Sequence, residues 1–269
     1  MRILGRESEK LVGLRVFVLC VLAATLVIVG ASQGRAAVLF EDDFESGTLN
    51  AWSEPRSAGD PVATTEQAHS GKHSVLFTYP RDDAGDKIAQ NLGRSVEHFF
   101  LRWYEYFDSA YTFPVDQKLN RFVRENDFLI GMNVRTRGDT IKIEVDRFTP
   151  SHRETIHEKR FTFETGKWYC MEVEVQLNTP GQADGSWRVW IDTTLKLQKS
   201  DVDLRGTSKN GINRFWVGGP WSNLHVDPPR MAKRFVDDVV FSTTRVGCLP
   251  DVGDKIPPES PSGLRISSQ

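Results

Sequence analysis

The sequence predicts an all-β protein, an antiparallel two-sheet β-sandwich, and three observations carry this prediction. Almost no window repeats apolar residues at helical spacing, whereas many short runs alternate apolar and polar residues with period two. Turn residues separate ten or more such runs, which is typical of a sandwich or jelly roll. Alternation, in place of solid apolar runs, indicates antiparallel sheets with one buried face and one wet face.

In the first half of the chain the predicted strands differ in how regularly apolar and polar residues alternate. The strongest is "HFFLRWYEYF", which places Phe99, Leu101, Trp103 and Phe107 on one face and alternates them with polar or aromatic residues. The segment "TFPVDQKLNRFVREN" lacks clean alternation and is predicted to be a long loop or a short helix. The remaining predicted strands of this half are "VLFEDDFE", "HSVLFTY", "DFLIGMNVRT" and "TIKIEVD".

The second half continues the pattern after a polar, hairpin-like loop, "SHRETIHEK". Met171, Val173 and Val175 are expected to point inward from one strand, and Trp187 and Val189 from the next. The eight residues "NTPGQADG" between them are too long a connection for a tight two-residue turn. The predicted strands of this half are "EKRFTFE", "YCMEVEVQLN", "SWRVWID", "LKLQ", "RFWVGG" and "RFVDDVVFST".

Both ends of the chain differ in character from this folded part. Basic residues precede an apolar run at 16–31 and small residues follow it, which predicts a secretory signal peptide within residues 1–37, cleaved after Ala31 or Ala36. The run is shorter than the roughly 20 residues of a membrane-spanning helix, so we expect cleavage, an extracellular or periplasmic protein and no stable membrane insertion. An uncleaved signal anchor is the alternative. Residues 249–269 are rich in Pro, Ser and Gly and are predicted to be a tail or linker.

Composition and cysteine count narrow the class of protein. The 269 residues are 39% hydrophobic and 26% charged, which is ordinary for a globular chain. A net charge of -2 argues against nucleic-acid binding through bulk positive charge, and no phosphate-binding loop or dinucleotide fingerprint is present. Beyond the signal peptide only Cys170 and Cys248 remain. In an oxidising compartment they predict one disulfide, and two buried thiols are the alternative.

Several phrases together resemble the concanavalin A-like jelly-roll superfamily, in its polysaccharide-lyase-like and carbohydrate-binding branches. They are "LFEDDFESGTLNAW", "SGKHSVLF", "GKWYCMEVEVQLNTPGQADGSWRVWID" and "RFVDDVVFST", and the resemblance spans residues 38–248. It implies the fold well and the activity poorly, because this scaffold carries lyases, glycanases, lectins and structural domains. The glycanase pattern of two close acidic residues with flanking aromatics is not found, "EVDR" and "EVEV" being the nearest, so no catalytic residue is carried over.

One hypothesis is a polysaccharide lyase that cleaves uronate-containing glycans by β-elimination. That chemistry needs a group that neutralises the uronate carboxylate, together with a base and an acid. A free tyrosine titrates near ~10, so nearby cations must lower the pKa of a tyrosine base. The alternative is a solvated sheet face with ordinary charges. Candidates on one strand and on an expected neighbour and loop are Arg102, Tyr104, Tyr106, Lys118, Asn133 and Arg135, with Arg121 on the same loop.

Two other functions stay open, a non-catalytic carbohydrate-binding domain and a structural or adhesion module. Aromatic planes stack on sugar rings and charged groups bond hydroxyls, although buried tryptophans are also normal in β cores. The candidates for sugar contact are Arg188, Trp190, Trp216 and Trp221.

A structural calcium ion is predicted where the first and last strands are expected to be neighbours. Carboxylates are the hard oxygen ligands that calcium takes. The alternative is acidic residues that keep strand edges from pairing with other chains. The calcium candidates are Asp42, Asp43, Glu45, Asp237 and Asp238.

The six histidines show no metal-binding spacing. His152, His157 and His225 are single candidates for a general base.

Overall fold

The computed structural model describes residues 37–54, 61–79, 87–114, 116–137, 140–148, 153–222 and 232–250. Their strands are β1 (Val38–Asp42), β2 (Val62–Thr64), β3 (Ser74–Tyr79), β4 (Lys87–Val96), β5 (His98–Phe107), β6 (Asp116–Arg124), β7 (Asp127–Arg137), β8 (Thr140–Phe148), β9 (Arg153–Arg160), β10 (Trp168–Gln176), β11 (Gly185–Ile191), β12 (Thr194–Val202), β13 (Ile212–Gly218), β14 (Trp221–Ser222) and β15 (Ala232–Ser242).

The strands form two antiparallel sheets, which confirms the predicted sandwich. In the described part of the chain, sheet A has the order β12-β11-β10-β5-β15-β3-β2, with β1 also paired to β15. Sheet B has the order β4-β13-β6-β7-β8-β9, with β14 paired to β6. No helix of the described residues is long and apolar enough to cross a bilayer.

The core lies between the sheets and is built by the predicted alternation. Phe99, Leu101, Trp103 and Phe107 of β5 are fully buried in it. Phe99 meets Phe122 of sheet B with ring centroids 4.8 Å apart, so the odd-numbered face of β5 points at the opposite sheet. The even-numbered residues of β5 therefore lie on the outer face of sheet A.

Strand β6 overturns the predicted loop at 112–126. It lies inside sheet B, between β13 and β7. Its pairing with β7 shifts register between Lys118 and Asn120 and again between Phe122 and Val123. The first shift places an extra residue, Leu119, on β6 and so resets its side-chain alternation, whereas the second places the extra residue, Leu129, on β7. The bulge at Leu119 removes the period-two pattern from the sequence of β6. The predicted polar loop around His157 is also wrong, because Arg153–Arg160 forms β9; the side chain of His157 is not described, and His152 and His225 lie outside the described residues.

A terminal segment, residues 243–250, lies on the outer face of sheet A. Its anchor is the predicted Cys170–Cys248 disulfide, which the structure contains. The Glu172 carboxylate accepts hydrogen bonds from Arg245 Nε (2.9 Å) and from the backbone N–H groups of Val246 (3.0 Å) and Gly247 (2.9 Å). Residues 1–36 of the predicted signal peptide and residues 251–269 of the predicted tail lie outside the described residues.

Candidate functional site

The predicted catalytic residues lie on two opposite outer faces of the sandwich. Arg102, Tyr104 and Tyr106 belong to β5, whose neighbours are β10 and β15 in sheet A. Asn133 and Arg135 belong to β7, between β6 and β8 in sheet B. The expected convergence of the two strands on one groove is therefore corrected, because alternation predicts which residues share a strand face and not which strands are neighbours.

The sheet A residues are engaged in local contacts. Arg102 is buried, with its guanidinium carbon 5.5 Å from the centre of the Tyr104 ring. The Tyr104 hydroxyl accepts a hydrogen bond from the Leu249 backbone N–H at 2.7 Å, and its ring stacks on His69 at 3.4 Å. Burial raises the pKa of Tyr104 above its usual value of 10.0, despite the nearby Arg102. Tyr104 is therefore poorly suited to act as a base.

The outer face of sheet B carries a connected polar row that crosses β6, β7, β8 and β9. A guanidinium nitrogen of Arg121 donates to Asn133 Oδ1 at 2.6 Å, and the Asn133 amide donates to Asp146. Asp146 also accepts a hydrogen bond from the Thr155 hydroxyl at 2.9 Å. Arg121, Asn133 and Asp146 are all buried. The hydrogen bonds between them hold these three side chains in fixed positions on the outer face of sheet B.

A second cluster on the same face is more open to solvent. Arg135 Nε lies 3.1 Å from Glu144 Oε2, and an Arg135 terminal nitrogen lies 3.4 Å from Asp116 Oδ2. Lys118 Nζ lies 3.9 Å from the same Asp116 oxygen. Arg135 and Lys118 keep 19% and 20% of their side chains exposed, whereas Glu144 is fully buried. The two cations are thus the groups of this cluster that a bound ligand can contact.

Local backbone features bring Lys118 and Arg121 to this face. The first bulge of β6 lies directly after Lys118. Behind it, buried Arg234 pairs with Glu105 and donates to the Lys118 carbonyl at 3.0 Å, and the Gln117 amide donates to the same carbonyl at 3.0 Å. Gly131 leaves room for Arg121, since a Cβ there would lie 2.3 Å from Arg121 Cδ. The core thus fixes the backbone from which the surface cation projects.

The predicted sugar-binding tryptophans are largely covered. Trp216 lies on the outer face of sheet B, 3% exposed, with Arg121 and Lys87 at 5.4 and 5.8 Å from its ring. Trp190 lies on the outer face of sheet A, 9% exposed, beneath Arg245 at 4.2 Å. Arg188 pairs with Glu174 at 2.6 Å. Trp221 begins β14, and its side chain is not described.

Only some of the predicted calcium ligands lie near one another. Strand β1 pairs with β15, as expected, with Asp42 opposite Val239. Asp42 accepts hydrogen bonds from the Phe44 N–H and the Trp52 indole, and Glu45 accepts them from the N–H groups of Lys72 and His73 at 2.7 Å each.

The two acidic residues of β15 have different partners from those of β1. Asp237 accepts hydrogen bonds from the His69 and Ser70 N–H groups, and the Asp238 carboxylate meets the His69 ring and the Ser70 hydroxyl. Burial, and then the neighbouring Asp238, raise the pKa of Asp237 to about 7. Among the described residues no group of three or more His, Cys, Asp or Glu is arranged to hold a metal ion.

Sequence reasoning missed Asp116, Glu144, Asp146 and Thr155 as members of the sheet B face. The alternation in "TIKIEVD" does place Glu144 and Asp146 on one strand face, which was the available signal. Their pairing with Arg135 and Asn133 depends on the register of β7 against β8, where Asn133 is opposite Glu144. That register comes from the three-dimensional structure.

Comparison with known proteins gives one likeness in sequence and several in fold. The sequence profile of the family Polysaccharide lyase 14 matches residues 139–219, which include Glu144, Asp146 and Trp216. The endo-β-1,4-glucuronan lyase of the fungus Trichoderma reesei superposes with a TM-score of 0.61 at 14% identity, covering 77% of this chain and 96% of that one. This is the fold of polysaccharide lyases.

Two further solved structures support the resemblance to the polysaccharide-lyase-like branch, which is confirmed. The PL-14 alginate lyase of Aplysia kurodai has a TM-score of 0.58 at 16% identity, with 76% of this chain and 98% of that chain covered. The cellulose-induced protein Cip1 has a TM-score of 0.57 at 18% identity, with 78% and 99% covered. A search of curated protein sequences finds no match.

Proposed function

We propose that this protein is a polysaccharide lyase that cleaves uronate-containing glycans by β-elimination on the outer face of sheet B. The observation that carries the proposal is the cluster of Arg135 and Lys118 above the buried Arg121–Asn133–Asp146 row. It supplies a planar cation for a carboxylate and an amine for proton transfer, on a fold shared with glucuronan and alginate lyases.

In this mechanism Arg135 pairs with the uronate carboxylate and stabilises the negative charge that develops there. Glu144 and Asp116 hold the guanidinium in position. Lys118, in its neutral amine form, takes the proton from the carbon next to the carboxylate. The electron pair of that C–H bond forms the new carbon–carbon double bond, the bond to the glycosidic oxygen breaks, and the Lys118 ammonium returns the proton to that oxygen. Lysine is assigned this step because every tyrosine of the chain lies in the core or in sheet A.

The test is to incubate the purified protein with alginate, polyglucuronate and polygalacturonate and to follow ultraviolet absorbance. Unsaturated product ends absorb, so a rise with one of these substrates is expected. The matched variant Lys118→Ala is expected to lower kcat by about 10²-fold or more, because it removes the proton carrier. No rise with any acidic glycan would overturn the proposal.

A non-catalytic glycan-binding domain is the second candidate, and one observation favours it. The cations of the sheet B face lie beside Glu144, Asp146 and Asp116, which offset the positive charge available to a polyanion. Binding in calorimetry without new absorbance would support this function. Neither binding nor absorbance would favour a structural or adhesion module.

We also propose export from the cytoplasm, to the extracellular space or the periplasm. The Cys170–Cys248 disulfide supports this, since such bridges persist in oxidising compartments. Cell fractionation followed by N-terminal sequencing of the mature chain tests both export and the cleavage position.

A further inference from the structure

A cavity of about 650 Å³ lies on the outer face of sheet A, across the sandwich from the proposed lyase face. We call it the sheet A cavity. Its volume is within the range of small-ligand sites. Its walls come from β10, from the terminal segment and from the loop that carries His69. The lining includes His69, Lys167, Trp168, Asp192 and the Cys170–Cys248 disulfide.

The floor of the cavity is a set of interlocked rings. Trp168 remains partly exposed and lies edge-on to His69 at 5.7 Å and tilted against Tyr106 at 5.2 Å. His69 in turn stacks on Tyr104 at 3.4 Å. Rings held in this way lose little freedom on binding, so the aromatic surface is pre-organised.

Polar groups surround this aromatic floor. His69 Nδ1 lies 2.7 Å from Asp238 Oδ2, which leaves Nε2 as the ring nitrogen for a ligand. Lys167 and Asp192 lie on the rim, 3.9 Å apart and with 50% and 45% of their side chains exposed. A donor and an acceptor of opposite charge therefore stand beside an aromatic plane, with almost no net charge between them.

Trp190, also on the outer face of sheet A, contrasts with the partly exposed Trp168. Arg245 of the terminal segment covers Trp190 at 4.2 Å, and Trp190 is only 9% exposed. The same segment then passes beside Trp168 and is fixed there by the disulfide and by the Leu249–Tyr104 hydrogen bond. The Trp168 indole nitrogen itself is buried and, within the described part of the chain, has no hydrogen-bond partner, so the exposed part of this side chain is its ring.

We propose that the sheet A cavity binds a neutral pyranose residue of a glycan. Such a ring presents an apolar C–H face, which stacks on Trp168, and equatorial hydroxyls, which bond Lys167, Asp192 and His69. Because Lys167 and Asp192 nearly cancel, the rim has no excess positive charge to attract a uronate, in contrast to the Arg135 and Lys118 cluster of the sheet B face. This second saccharide site does not depend on the proposed lyase activity, and it provides a point of attachment on the opposite side of the molecule.

The experiment titrates the full-length mature protein, with ¹⁵N-labelled tryptophan, with cellohexaose, mannohexaose, xylohexaose and laminarihexaose. At least one hexasaccharide is expected to shift the indole cross-peak that is missing from the Trp168→Ala spectrum. In calorimetry Trp168→Ala is expected to weaken binding by about tenfold or more. Lys167→Ala, at an exposed position, is expected to weaken it severalfold. Gln198→Ala on exposed β12 is the matched control and should bind as the wild type does.

Two outcomes would overturn the proposal. One is that no hexasaccharide moves the Trp168 cross-peak. The other is that Trp168→Ala, or Lys167→Ala and Asp192→Asn if the first variant misfolds, binds with wild-type affinity. Arg135→Ala separates the two sites, because it should lower kcat/KM for acidic glycan by about 10²- to 10³-fold and leave hexasaccharide affinity unchanged. If the lyase assay fails and a hexasaccharide still shifts the Trp168 cross-peak, only the proposed lyase function is contradicted.

Discussion

At the scale of single residues, Arg135 is the group on which the lyase proposal depends most directly. Replacing it with alanine removes the cation that stabilises developing charge on the uronate, so we expect kcat/KM to fall by about 10²- to 10³-fold. The measurement is initial-rate absorbance on the preferred acidic glycan. Arg188→Ala is the matched control, since Arg188 also pairs with a carboxylate, Glu174, but in sheet A. Equal activity of Arg135→Ala and the wild type would contradict the role.

Tyr104 gives a prediction of the opposite kind. Burial raises the pKa of its hydroxyl, so the phenolate form is rarer than in a free tyrosine at every pH below that value. Tyr104 also lies across the sandwich from Arg135. We therefore expect Tyr104→Phe to retain the wild-type pH–rate profile in lyase assays between about pH 5 and 9. Loss of an ionisation from the basic limb of that profile would instead identify Tyr104 as a catalytic group.

At the scale of strands, the sequence predicts best where alternation is unbroken. Strand β5 and the β10–β11 pair have the predicted inward faces, because their buried apolar residues recur at every second position. Strand β6 escaped prediction because its bulge at Leu119 interrupts the same repeat. The same bulge places Lys118 and Arg121, which are three residues apart, on one face at the candidate site. Local irregularity thus made the most informative strand the hardest to recognise.

The terminal segment is the element whose attachment is easiest to test. Its disulfide closes a sequence separation of 78 residues, so removing the bridge in a Cys170→Ala/Cys248→Ala variant should lower the free energy of unfolding by about 2–5 kcal/mol. Urea denaturation of the variant measures this loss. Reduced wild-type protein is the control and should match the variant. A variant as stable as the oxidised wild type would show that the segment is held by the Glu172 and Tyr104 hydrogen bonds instead.

At the scale of the whole molecule, the sandwich separates two chemically different outer faces. Sheet B presents Arg135 and Lys118 above a buried polar row, and sheet A presents an aromatic cavity with balanced rim charges. Residue types for both were visible in the sequence. Their division between faces was not, because the order of strands in each sheet joins segments distant in the chain, as in the pairing of β13 with β6. Alternation within a segment predicts which residues share a face and does not predict which distant strands pair with each other.

The pairing of the chain ends, β1 with β15, carries the prediction of a structural calcium ion. It brings Asp42 and Asp43 at the end of β1 towards Asp238 of β15, and the three line one cavity with Glu41. Among the described residues no three of these groups are arranged to hold a metal, so calcium would have to displace the hydrogen bonds that they now accept. For Asp42 these come from the Phe44 N–H and the Trp52 indole, and for Asp238 from the Ser70 hydroxyl. An ion that binds only the folded chain stabilises it by mass action. We expect a chelator to lower Tm and added calcium to restore it.

The variants decide whether such an effect belongs to this site. Asp238→Asn should remove the calcium-dependent part of Tm, because it deletes a charged oxygen donor between the chain ends. Asp184→Asn is the matched control, since Asp184 is a carboxylate in the β10–β11 connection that bonds the Thr179 N–H and is distant in the chain from β1 and β15; it should retain the full response. A chelator that leaves Tm unchanged would mean that hydrogen bonds alone hold these carboxylates. In that case the hydrogen bonds that Asp42 and Asp238 already accept account for the positions of these carboxylates without a metal.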